Sequence, residues 1–216
     1  MTDAIVCHID LTEITGWTKN GTWQTVDLTP FLQHPDPKIV SLKLKSASGT
    51  VSIGAKPVGS AISDDYAKHD LSSPYWCDSL VMLDDNNQIQ LTAPSVNGKV
   101  YLEAEFGGND VYAFSDWQSI LITGDAWVDW SATSYLTTLD DPDWQPGGQF
   151  SILLYTHTPA DGIWAYRPNG SVYNVLETEY ATTSQIGCVQ FDETDTIEMY
   201  NKKIGGLPAS LIYGVG

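Results

Sequence analysis

"VSLKLKSASGTVSIGAKPVGS", residues 40–60, lies without a gap on "SILLYTHTPADGIWAYRPNGS", residues 151–171, at an offset of 111. Leu42 meets Leu153, Lys56 meets Arg167, Pro57 meets Pro168, Gly59 meets Gly170 and Ser60 meets Ser171. At an offset of 108, "LVMLDDNNQIQLTAPSVNGKV" (80–100) lies on "CVQFDETDTIEMYNKKIGGLP" (188–208). There Val81 meets Val189, Asp84 meets Asp192, Ile89 meets Ile197 and Gly98 meets Gly206. Upstream, "VDLTPFL" from Val26 matches "VDWSATSYL" from Val128 with a two-residue insertion. Each identity alone is weak, but their common order and near-equal offsets read as a tandem duplication.

The local pattern says what was duplicated. "KIVSLKLKS" (38–46) alternates Val40, Leu42 and Leu44 against Ser41, Lys43 and Lys45, the period of a half-buried antiparallel strand. "KVYLEAEF" (99–106) alternates similarly, with Val100, Leu102, Ala104 and Phe106 expected on one side. Short runs rich in Val, Ile, Thr, Tyr and Trp are separated by Gly, Pro, Asn and Asp, and no long helical periodicity interrupts them. The chain is therefore expected to be all-β, two tandem jelly-roll-like antiparallel sandwiches at residues 15–108 and 118–216. Residues 109–117 form the linker, itself a candidate strand, and residues 1–14 an N-terminal arm or extra strand outside the repeat.

The shared cation-Pro-x-Gly-Ser phrase has a structural reading. Pro ends a strand because it cannot donate to the ladder, Gly permits a positive φ, and Ser caps the turn. The cation before Pro is expected on the polar face; an anion-binding loop is the functional alternative.

Composition narrows the partners. Across 216 residues, 10 Lys and Arg stand against 27 Asp and Glu, a formal charge of −17. Such a surface repels phosphate backbones and anionic lipid, which disfavours nucleic acid and membrane as partners. "MTDAIVCHIDLTEITG" lacks a basic segment followed by an apolar run, which argues against a secretory signal. Cys7, Cys77 and Cys188 are scattered and odd in number, so they read as reduced, mostly buried thiols.

Catalytic patterns are weak. His8, His34, His69 and His157 form no metal-ligand spacing, and no nucleophile elbow or phosphate-cradling loop occurs. Asp84-Asp85-Asn86-Asn87 and Asp192-Glu193-Thr194-Asp195 fall at matching turns, which fits local Asx geometry. "LDDPDWQPGG" (139–148), with Asp141 and Asp143, is the best candidate for calcium and otherwise an ordinary loop; no cofactor is required. Aromatics are the feature that points to binding. Among eight tryptophans, Trp23, Trp127 and Trp164 alternate with polar neighbours and read as core. Tyr75 and Trp76 in one loop and Trp144 in another are candidates for partner contact, for stacking on a glycan, or for plain packing.

The order "VDLTPFL … KPVGS … VMLDDNNQIQL … VYLEAEFGG" resembles small β-sandwich domains in virion proteins of tailed bacteriophages, through Lys56-Pro57-Val58-Gly59-Ser60 and Arg167-Pro168-Asn169-Gly170-Ser171. The second half ends "LIYGVG" where the first ends "EAEFGG" without the Tyr. That family shares no catalytic residues, so none is transferred. The resemblance implies a non-enzymatic capsid-decoration, head-fibre or tail-accessory component, multimeric, made in the host cytoplasm and bound to other virion proteins. A carbohydrate-binding module for host attachment is the alternative, and a glycan-active hydrolase ranks last.

Overall fold

In the computed structural model the chain divides into two compact units, Met1–Val111 and Tyr112–Gly216. The structure describes residues 5–62, 64–108, 111–113, 118–119, 126–131, 151–157, 162–172, 177–179, 184–190, 192–194, 196–203 and 209–215.

The first unit is built from β1 (Ile5–Glu13), β2 (Gln24–Asp27), β3 (Pro37–Ser46), β4 (Thr50–Pro57), β5 (Lys68–Ser72), β6 (Trp76–Met82), β7 (Gln88–Thr92) and β8 (Gly98–Gly107). A single helical turn, α1 (Asp64–Ala67), precedes β5. One antiparallel sheet runs β1-β8-β3-β6 and the other β2-β7-β4-β5. Consecutive strands thus alternate between sheets except at the β4–β5 hairpin, which is a jelly-roll-like arrangement.

The second unit contains β9 (Val111–Ala113), β10 (Gln118–Ser119), β11 (Trp127–Ser131), β12 (Ser151–His157), β13 (Gly162–Pro168), β14 (Glu177–Glu179), β15 (Ser184–Gln190), β16 (Thr196–Lys203) and β17 (Ala209–Val215). Its sheets run β10-β17-β12-β15 and β11-β16-β13-β14, with β9 also paired to β17. Strand for strand this is the order of the first unit. The all-β, jelly-roll-like class expected from the sequence is the class observed.

Alternation explains the first core. Val40, Leu42 and Leu44 of β3 are fully buried, as are Val100 and Leu102 of β8, facing Ile53 of β4 and Ile89 and Leu91 of β7. Lys43 and Lys45 stay half-buried on the outer face. At roughly 1.5–3 kcal/mol per buried aliphatic side chain, this interior is the main source of the unit's stability.

Three details stand out. First, of the two alternatives for the N-terminal segment, arm or extra strand, the structure has the strand: β1 pairs antiparallel with β8 at the outside of its sheet. Second, alternation fails past Leu102. Leu42 pairs Leu102 but Ser41 pairs Ala104, so Glu103 is an extra residue in the ladder. A bulge shifts the parity of everything after it. Glu105 therefore aligns with inward-facing Val40 and is wholly buried, while Phe106 is only half-buried. Third, Cys7 is exposed beside a bulge in β1, whereas Cys77 is buried as expected.

Candidate functional site

The connection from β5 to β6 carries Tyr75, while Trp76, expected in the same loop, is the first residue of β6. Tyr75 N–H donates to Ser72 O at 2.8 Å and Ser73 N–H to Gly49 O at 2.8 Å, so the turn is anchored to the neighbouring β3–β4 loop. The anchoring leaves Tyr75 69% and Trp76 58% exposed. Trp76 lies opposite Lys45 in the ladder, and the ammonium groups of Lys43 and Lys45 are each 5.8 Å from its ring centre. Lys43 also bonds Asp78 at 2.6 Å and pairs with Glu103 at 3.0 Å. Burial works to lower the Lys43 pKa, but these two carboxylates outweigh it and hold the pKa above its ordinary value. An indole face beside cations binds by area and by attraction for anions. The other candidates, Trp144, Asp141 and Asp143, lie outside the described residues.

The acidic turns prove to be local scaffolding. Asp84 Oδ1 accepts Asn86 N–H at 3.0 Å and Gln88 N–H at 2.7 Å. Asp192 Oδ1 accepts Thr194 N–H at 2.8 Å and Thr196 N–H at 3.0 Å. Asp192 Oδ2 also receives Asn169 Nδ2 at 2.6 Å. Burial opposes ionisation of Asp192, yet these donors together hold its pKa down to about 2. Among the described residues, no group of three or more His, Cys, Asp or Glu is placed to hold a metal ion.

The cation-Pro-x-Gly-Ser phrase builds one device in both units. Pro57 closes β4 and Pro168 closes β13; Gly59 and Gly170 take φ of 76° and 73°. Ser60 N–H donates to Pro57 O at 3.2 Å and Ser171 N–H to Pro168 O at 3.1 Å. The cation does not project freely as expected. Lys56 Nζ sits 4.6 Å from the Trp23 ring centre and the Arg167 guanidinium 4.0 Å from that of Trp127. Lys56 is buried and donates to Ser60 O at 3.2 Å, while Arg167 forks onto Glu198 at 2.8 and 3.1 Å. An anion-binding loop is a poor description of a cation already covered by an indole.

That pairing also corrects the alignment. Ile89 faces Val26, and Ile197 faces Trp130 rather than Val128. The matching offset is 104, which superposes Trp23 on Trp127; the repeated Val-Asp pair is out of register by two residues.

One buried polar cluster went unseen in the sequence. Glu105 receives His8 Nε2 at 2.6 Å, Gln33 N–H at 2.8 Å and His34 N–H at 2.9 Å. His8 Nδ1 lies 3.2 Å from Thr12 Oγ1 and 3.3 Å from Gln33 Nε2. With the Gln33 amide donating, Nδ1 accepts and Nε2–H donates to Glu105. The cluster ties β1, the β2–β3 loop and β8 together. No motif spacing announces it, because its members are brought together by the bulge at Glu103.

No family model matches the chain, and no curated protein matches it. Solved structures give faint likenesses. The tandem CBM22-1-CBM22-2 domain of Paenibacillus barcinonensis Xyn10C is 10% identical over 100% of this chain and 94% of its own, with a TM-score of 0.22. The PBSX exported protein XepA is 11% identical over 100% and 87%, with a TM-score of 0.25. Bacillus subtilis oxalate decarboxylase is 8% identical over 100% and 77%, with a TM-score of 0.24. Scores of that size carry no argument about function.

Proposed function

We propose that this chain is a non-enzymatic structural component of a tailed-phage virion, of the capsid-decoration, head-fibre or tail-accessory type, made in the host cytoplasm. It binds other virion proteins and itself, through two sandwiches descended from one duplicated ancestor. The observation that carries this reading is the recurrence of one strand-end device in both units. The Pro-Gly-Ser turn, the cation over an indole and the aspartate turn beside it hold the same relation in each. Polar groups that elsewhere serve chemistry are spent here on local hydrogen bonds, which suits a rigid spacer. Density-gradient purification of the source particle tests it. The chain is expected to band with particles and to ignore sugars; its absence from washed particles overturns the reading.

The exposed Tyr75–Trp76 pair favours a second reading, a carbohydrate-binding module serving host attachment. It predicts a change in tryptophan fluorescence on a glycan panel that disappears in Trp76→Ala.

A further inference from the structure

The two ends of the first unit differ in charge. Antiparallel strands joined in sequence send their connections alternately to opposite ends. Segments 14–23, 47–49, 73–75 and 93–97 therefore gather at one end. Backbone bonds join them: Ala47 N–H to Asn97 O at 2.8 Å, Ser73 N–H to Gly49 O at 2.8 Å and Gly21 N–H to Ala93 O at 2.9 Å. None of the chain's 27 acidic residues falls in these segments. Carboxylates do stand on the adjoining elements: Glu13 of β1 is engaged by Lys99 at 2.7 Å and Asp78 of β6 by Lys43 at 2.6 Å, Asp64 pairs with Lys68 and accepts Trp23 Nε1–H at 2.9 Å, and Asp70 of β5 is exposed.

What this end carries is Lys19, Lys45 and Lys99 with Tyr75, Trp76 and Val96, the last 74% exposed. The Lys19 ammonium lies 5.1 Å from the Trp17 ring centre. Burial first, and then the charge of Lys99, hold the Lys19 pKa below its ordinary value. Crowded cations beside exposed apolar groups gain from an anionic surface that also covers carbon. The opposite end supplies such a surface: Asp27, Asp36 and Asp85 are exposed there, at the end of β2 and in the β2–β3 and β6–β7 connections.

We infer that the end of the first unit whose connections carry no acidic residue is a docking surface for the acidic end of the first unit in a second copy of the chain. This deepens, and rests on, the reading of the chain as a self-associating virion component. A protein occupant fits better than a glycan because exposed Val96 is aliphatic and gains by burial but offers no ring to stack on a sugar. The formal charge of −17 does not forbid contact, since charges beyond about 8 Å are screened at physiological salt. Contact of unlike ends is heterologous, so it builds rings or filaments rather than a two-fold dimer.

Sedimentation of the full chain over a range of concentrations tests the inference. The wild type is expected to associate, Trp76→Ala about thirtyfold and Lys45→Glu about tenfold more weakly. Asp85→Lys weakens association from the other end, and mixing it with Lys45→Glu restores the association that each alone has weakened. All three positions are solvent-accessible, and unchanged circular dichroism and melting confirm that the variants fold. A wild type that stays monomeric overturns the inference, as does association indifferent to these substitutions or a Trp76-dependent glycan complex. A chain absent from particles whose association still depends on Trp76 overturns the virion reading alone. A particle-bound chain whose variants associate normally overturns this inference alone.

Discussion

At equivalent places the first unit has a buried carboxylate and the second has valine. Val40 faces Glu105 across the β3–β8 ladder, and Ser151, its counterpart at an offset of 111, faces Val215 across β12–β17. The same strand order therefore tolerates either residue. In the first unit the outer strand, β1, runs nine residues and is tied to Glu105 through His8. A carboxylate inside a sandwich is costly unless every lone pair is used. Its worth here lies in fixing a long strand that is bulged on both sides of its ladder.

The largest effect is expected from removing that carboxylate. Glu105→Ala strands two backbone donors and His8, and should cost about 3–5 kcal/mol. Chemical denaturation measures the loss, and hydrogen exchange should locate it in β1 and the β2–β3 loop, with strands of the second unit still protected. If the second unit opens as readily, the contrast between the two units is wrong.

Next come the indole-covered cations. Lys56 is buried under Trp23, while Arg167 under Trp127 is half-buried and has Glu198 as a further partner. Trp23→Ala is therefore expected to cost about 2–3 kcal/mol and Trp127→Ala about 1–2 kcal/mol. Equal costs would mean that the two stacks are equally desolvated. The turn glycines should behave alike, because a methyl at either meets nothing within 4 Å and both have positive φ. Gly59→Ala and Gly170→Ala are each expected to lose about 1–2 kcal/mol from backbone strain alone.

The smallest effect separates the aspartate turns. Asn169 supplies Asp192 with a side-chain donor, and Val58 stands at the matching place beside Asp84. The folded-state pKa of Asp192, about 2, lies below the ordinary 3.8. Its contribution is then complete above the unfolded value and is lost as the pH falls from about 4 towards about 2. Asn169→Ala should raise the Asp192 midpoint, read by carboxyl NMR titration. Val58→Asn should add a few tenths of a kcal/mol by giving Asp84 the same partner.

Much of the fold was legible because alternation and turn chemistry are local. Val40, Leu42 and Leu44 announce their face, and Pro57-Val58-Gly59-Ser60 announces a strand end in residues a few positions apart. The failures share a cause. The Val-Asp pair at 26 and 128 looked equivalent, but only the pairing of β2 and β11 with their neighbours shows that Trp23 and Trp127 correspond. Of the candidate binding residues, Tyr75 and Trp76 are both exposed, the property that contact with a partner needs. Their lysine neighbours come from β3, some thirty residues away, and no spacing rule links them.

By itself the sequence determined the class of fold, the order of turns and the strongly acidic character of the chain, since these follow from period-two burial, backbone preference and charge count. The tertiary structure alone decided which carboxylate is inside, which indole covers which cation and that the connections without acidic residues gather at one end of the first unit. Each of those depends on ladder register, and a single extra residue at Glu103 is enough to turn the side chains beyond it to the other face.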